Sequence, residues 1–492
     1  MSDFVSIRSG SAAVRIPQFR GLCQYGDGVG TDPRCAVECE NAQTTQGVLG
    51  PMAACAYLEG ELPAPIETLA RLHRRYYTAD HEKDVLIAAA GGQLYWRLPF
   101  SGGWHLIPLP MDMLEKRYQS SRFSCVSYEI NPEGSAAPVD VLLLSNAYDG
   151  MLCLRGDELT VSRVQTPRAF GVIARHAERI WGGAIEGDPD MLVYSAPYDP
   201  FDWEQNNDIP EDGAGDILQP SWDGDSFTAL QSFGSQLIAF KKTRVWRVIG
   251  TNPGEYAFKE QYGGGAHYAR TVQADGTRIL LLSQDGVMVY DGENVVPYQQ
   301  AMCTAVFDRM NAERLNKACA CMHKGRYYCA LPLDDSPVNN AVIIYDTAED
   351  TWLLRTDVQV ESFLSTGDHL FFTSAAAPGR IGLWQEAGES VPMRWVSPWQ
   401  DLGWKNQMKG SFQVYLTVEC AEPAELRVSI ETEKKKKTKT VVFAPSTSNA
   451  RQKKISFGGS GRRFRLIIES GTAAAWRITG GVQIDMETDR DG

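Results

Sequence analysis

Short apolar runs broken by turn residues recur along most of this chain. The first spans residues 86–96 (LIAAAGGQLYW), and others follow at 141–154, 191–203, 237–248, 279–292, 342–354 and 370–384. Each is an apolar stretch, a turn signal, then a second stretch rich in aromatics. Gly-Gly, Asp-Gly and Pro-Gly at the middles tolerate positive φ, which is hairpin chemistry. The first five units begin about 42 to 55 residues apart, and a period near 40–50 with several short strands marks a β-propeller. Six or seven blades fit the length. The last two units are closer, as if they were two hairpins of one blade. Two stretches read as helical. In residues 65–79, Ile66, Leu69 and Leu72 fall at helical spacing behind Pro65; in 301–318, Met302, Val306 and Met310 lie four apart.

The pattern changes after Gln385. Residues 386–398, with Gly, Ser and two prolines, read as a linker. Beyond it the alternation is strict. Phe412, Val414, Leu416 and Val418 form one apolar face, Leu426, Val428 and Ile430 another, and Phe464, Leu466 and Ile468 a third. Period-2 patterning predicts half-buried antiparallel strands, hence a C-terminal β-sandwich. The expected organisation is all-β: an N-terminal arm over 1–60, a β-propeller over 61–390 and a β-sandwich over 391–492.

Composition narrows the classes. The 492 residues are 43% hydrophobic, which excludes disorder for the bulk of the chain. No run approaches the roughly 20 apolar residues of a spanning helix, and the start has no signal-peptide pattern. Eleven scattered cysteines argue for reduced thiols and synthesis in a cytoplasm. Cys35 and Cys39, and Cys319 and Cys321 with His323 nearby, lack the paired spacing of structural zinc, so buried free thiols are expected and no metal or cofactor. Asp208, Asp212 and Asp216 share a loop without calcium-loop spacing and read as a solvated turn. Nucleophile-elbow, zinc-protease and phosphate-loop motifs are missing; Gly459 and Ser460 sit in a Gly-rich turn. Gly263 to Gly265 read as a loop needing close backbone approach. Ser283-Gln284-Asp285-Gly286 faintly resembles the sialidase aspartate box, without its following aromatic or further copies. No catalytic residue is assigned, although a propeller glycosidase with a carboxylate pair stays open.

One charge run stands out: Lys434, Lys435, Lys436, Lys437 and Lys439, between two strand patterns. It reads as a solvated hairpin tip, or as a contact with a neighbouring subunit or nucleic acid. Arg451, Lys453, Lys454, Arg462, Arg463 and Arg465 make the last hundred residues basic against an acidic remainder in a chain of net charge −13. That asymmetry suits head-to-tail electrostatic contact.

Several segments resemble tailed-bacteriophage virion proteins: IPQFRGLCQ followed by ENAQTTQGVLGP near the start, and RIWGGAIEGDPDMLVYSAPYDPFDWE with its tryptophan end. LIAFKKTRVWRVIGTNP, SQDGVMVYDG, GRYYCALP and NNAVIIYDTAEDTW are similar to further blades, and WVSPWQDLGW with MKGSFQVYLTVE to the sandwich after them. The relatives in view are tail nozzles and packaged-DNA stabilisation proteins of short-tailed phages. The resemblance implies a structural role in the tail or neck of a virion. The chain would form a homo-oligomeric ring of about six copies. It would contact portal, adaptor or other tail proteins, and genomic DNA would pass through it. It transfers no catalytic residue. An acidic lumen would repel phosphates and let DNA slide. Two other classes remain: a host-surface module gripping receptor or glycan through loop aromatics such as Trp222 and Tyr198, and the glycosidase above.

Overall fold

The computed structural model describes residues 5–8, 10–25, 31–77, 79, 83–110, 119–132, 137–218, 224–250, 252–446 and 451–489. Among them the strands form seven four-stranded blades, each built outward from the axis. Blade 1 comprises Ile66–His73, Asp84–Ala90, Gln93–Arg97 and His105–Ile107; blade 2 runs from Ser124–Ile130 to Val161–Val164; blade 3 from Val172–His176 to Gly215–Leu218. Blades 4 and 5 begin at Ala229–Phe233 and Gln273–Ala274, and their outermost strands join in parallel through Tyr262 with Asn294 and Gly263 with Val295. Blade 6 runs from Cys319–His323 to Thr351–Arg355. Blade 7 takes three strands from Ser362–Leu383 and its outermost one, Ala56–Tyr57, from the other end of the chain. The innermost strands of blades 7 and 1 pack together, closing the ring.

The blades cohere because their flanking apolar faces interdigitate. Ala70, Leu72, Leu142 and Leu152 fill the space between blades 1 and 2, and Trp181, Leu192, Phe227 and Trp246 that between blades 3 and 4. Gly263 has φ of 105°, and a Cβ there would lie 2.0 Å from the Val295 carbonyl oxygen, so the parallel junction of blades 4 and 5 requires glycine.

The sandwich packs one sheet of Val5–Arg8, Ser11–Ile16, Trp476–Thr488, Lys409–Cys420 and Lys453–Gly461 against a second. The second contains Glu38–Glu40, Met393–Val396, Phe464–Ser470, Ala424–Thr432 and Lys436–Phe443. Glu38–Glu40 also pairs with the last strand of blade 6, Glu40 opposite Leu354, so blade 6 and the second sheet form one nine-stranded sheet. One apolar cluster runs from Leu280 and Tyr327 through Trp352 and Trp395 to Val414 and Leu466. Propeller and sandwich thus share a core.

Five expectations change. Residues 65–79 do not form a helix. Ile66–His73 is a strand with a bulge between Ile66 and Thr68, and both its faces are covered: Ile66 and Leu69 face blade 7, Ala70 and Leu72 blade 2. That double burial mimics helical spacing. The 301–318 helix shrinks to one turn, Thr304–Phe307, between 3-10 turns. Within the expected linker, Met393–Val396 is a strand with Met393, Trp395 and Val396 buried. Its flanking Pro392 and Pro398 stand where a missing N–H costs no ladder bond. The described residues of 1–60 are not an arm; they supply strands to both sandwich sheets and to blade 7. The two closely spaced units 342–354 and 370–384 belong to blades 6 and 7, because the first is its blade's outer hairpin and the second its blade's central one.

Candidate interaction surface

The lysine run divides between a turn and a strand. Lys434 and Lys435 lie in the hairpin turn, where the Lys435 amide donates to Thr432 Oγ1 at 3.2 Å; Lys436, Lys437 and Lys439 lie on Lys436–Phe443. That strand pairs with Ala424–Thr432 on one side and ends its sheet on the other. Register explains the side chains. Lys437 and Lys439 stand opposite Ile430 and Val428, both buried, and so share the core-facing side at its open margin. The Lys439 ammonium lies 5.9 Å from the Phe457 ring centroid. Charges pointing inward on an edge strand oppose uncontrolled sheet pairing. On the outer face Lys436 stands opposite Glu431 and reaches Glu469 at 3.7 Å. Lys434, Lys435, Lys437 and Lys439 form no ion pair with a described residue.

The facing sheet's edge adds to this strip. Lys453 Nζ donates to the Val442 carbonyl at 2.6 Å, tying the two edges together, and Lys454 lies over the Tyr415 ring. Arg463 and Arg465 flank the Trp399 ring at 5.0 and 4.8 Å. Glu433 pins the turn: its carboxylate accepts from the amides of Arg462 at 2.7 Å and Arg463 at 3.2 Å. Burial pushes that carboxyl up, but those amides and the Lys434 charge outweigh it and hold it below the ordinary carboxylate range. The stabilisation is therefore complete above the ordinary value and lost as pH falls through the lower, folded one. Protection of the Arg462 and Arg463 amides from hydrogen exchange is expected to persist at pH about 4.5, near the ordinary glutamate value, and to drop on further acidification. Glu433→Gln should remove that step, and a step that survives the substitution would assign it to another group.

Charge is strongly segregated. Residues 391–492 carry 17 lysines and arginines against 11 aspartates and glutamates; residues 1–390 carry 31 against 50. The sequence reading noted Asp208, Asp212 and Asp216 but missed their context: residues 180–240 contain twelve acidic side chains and no lysine or arginine. All three aspartates are exposed on or beside the long connection to the outermost strand of blade 3. Tyr198, 75% exposed, projects from the same region; Trp222 lies outside the described residues.

Other candidates resolve into structure. The cysteines are all free, and among the described residues no group of three or more His, Cys, Asp or Glu is placed to hold a metal ion. Cys23 is lowered to about 7 by its hydrogen bond with the Cys35 thiol, a pairing that sequence spacing did not reveal. Ser283 to Gly286 form a hairpin turn, with Ser283 Oγ donating to the Gly286 carbonyl at 3.0 Å. A cleft of about 560 Å³ separates blades 6 and 7 from the sandwich, lined by Tyr328, Trp384, Arg355 and Trp476 among others. No described helix is long and apolar enough to cross a membrane.

No family model matches the chain, and no curated protein does. Among solved structures it is similar to a catalytically inactive virginiamycin B lyase from Staphylococcus aureus with quinupristin, at 9% identity and a TM-score of 0.42, over 67% of this chain and 98% of that one. It is also similar to BBS1N in complex with ARL6DN, at 11% identity and a TM-score of 0.39, over 68% of this chain and 98% of that one.

Proposed function

We propose that this protein is a structural component of a bacteriophage tail or neck, one subunit of a ring that closes or extends the DNA conduit below the portal and takes part in DNA retention and ejection. The observation that carries this reading is the segregation of charge on one continuous body: a basic sandwich margin on an acidic propeller. A body with one basic and one acidic end is suited to repeated contact with copies of itself and with neighbouring components. The excess acid of the propeller suits a surface past which DNA must slide without being gripped. The sequence resemblance to virion propeller–sandwich proteins points the same way. In the virion the chain meets portal or adaptor proteins on one side and the passing genome within.

The test is to mix the purified protein with portal-bearing particles of its own phage and image them. Saturable density at a single vertex is expected. Particles left bare at saturating protein would overturn the reading. A second reading, a host-surface binding module, is favoured by Tyr198 and Phe201, which are exposed beside one another on blade 3. A glycan array separates the two, since a conduit component should show no saturable binding there.

A further inference from the structure

We infer that the basic edge of the sandwich, Lys434 to Lys439, docks on the acidic outer connection of blade 3, Asp199 to Asp216, in a second copy of this chain. The inference rests on the ring reading above and names the contact that such an assembly would use.

Three observations converge. First, the two surfaces are complementary, and most of their charges are unpaired. Asp199, Asp202, Glu204, Asp208, Glu211, Asp212 and Asp216 are all exposed and form no ion pair with a described residue. The lysines on the sandwich edge are likewise exposed, and Lys434, Lys435, Lys437 and Lys439 form no ion pair with a described residue, whereas Lys436 reaches Glu469. Opposite charges so placed steer association and fix its register. Second, the acidic surface has the anatomy of an interface. Tyr198, Phe201, Ile209 and Leu218 are large apolar side chains exposed among these carboxylates. An apolar centre with a charged rim is what a specific contact buries. The connection is also held in shape: buried Arg179 donates to the carbonyls of Ser195 at 2.7 Å, Gly213 at 2.6 Å and Glu211. Less ordering entropy is then lost on docking. Third, one molecule cannot make this contact with itself. The sandwich grows from blade 6, and blade 3 is separated from it by blades 4 and 5 one way and by 7, 1 and 2 the other. A basic edge on one side and an acidic patch on the far side make a heterologous contact, which generates a closed ring or an open filament.

The experiment is a charge swap on the full chain, read by light scattering. One variant carries Lys435→Glu, Lys437→Glu and Lys439→Glu; the other carries Asp208→Lys, Glu211→Lys and Asp212→Lys. Thermal melts check that both are folded. The wild type should assemble at about 10 mM salt, where the Debye length is about 30 Å, and dissociate at about 1 M, where it is about 3 Å. Each variant alone should associate at least about tenfold more weakly. Mixed together, they should assemble, because acid then meets base at every contact. Assembly of both variants as readily as the wild type would overturn this contact while leaving the ring reading standing. A wild type that stays monomeric at low salt, or whose lysines instead bind duplex DNA, would overturn the second copy as the occupant. Vertex decoration then decides the functional reading separately.

Discussion

Deleting residues 1–55 is expected to yield a chain that does not fold, not a propeller with a trimmed end. Ser11–Ile16 pairs with Trp476–Thr488 from Ser11 opposite Glu487 to Ile16 opposite Val482. Glu38–Glu40 stands between blade 6 and Met393–Val396 in their common sheet and pairs with both. Leu22 bridges to Trp352, and the Phe19 ring meets Trp395 edge-on at 5.1 Å. Val14, Ile16, Phe19, Leu22, Leu49 and Met52 are all buried. Burying one such side chain is worth about 1.5–3 kcal/mol. Losing these six together, about 9–18 kcal/mol, is as large as the whole of the roughly 5–15 kcal/mol by which a native protein is stable. The measurement is soluble yield and a thermal melt. A soluble 56–492 fragment with a single transition near that of the intact chain would make these strands accessory.

Arg355→Ala should cost about 2–5 kcal/mol, because it leaves a cavity where a wholly buried side chain stood and takes the donor from the Ala53 carbonyl. The Arg355 side chain is wholly buried; Nε and Nη2 donate to Asp357 at 2.8 and 3.0 Å, and Nη2 also donates to the Ala53 carbonyl at 2.9 Å. Its guanidinium lies 4.2 Å from the centroid of Trp384. The residue thus ties the N-terminal segment and the Asp357 turn to blade 7. Replacing both charges with apolar groups, Arg355→Met with Asp357→Leu, should recover part of the loss, since Met refills the space and no buried guanidinium is left to be desolvated. Denaturant melts of the two single variants and the double one give the coupling. Additive losses would mean that the two side chains act independently.

The sandwich margin shows how far residue pattern reaches. The alternation of Phe412 to Val418 placed a two-faced strand correctly, because a strand covered on one face writes its burial into every second residue. The same logic marked Lys434 to Lys439 as exposed. It could not say that Lys437 and Lys439 share a face with Ile430 and Val428, since that depends on register with a strand the lysines themselves do not specify. Ile66, Leu69 and Leu72 misled for a related reason. A strand buried on both faces by different blades loses its period of two, and a bulge shifts what remains.

The acidic tract over 180–240 was present in the residues, but its meaning needs distance. Only the order of the blades puts it across the ring from the sandwich. By itself the sequence determined the class of structure, a repeat of short strands followed by an alternating β domain, and the sign of charge at each end. These are local properties, carried by residues within a hairpin of one another. The tertiary structure alone decided that the described residues form seven blades, that residues 56–57 close the last of them, and that Glu38–Glu40 fuses propeller and sandwich into one sheet. Those pairings join segments up to hundreds of residues apart. Their energy comes from backbone ladders and shared burial, which leave no periodic mark on either partner.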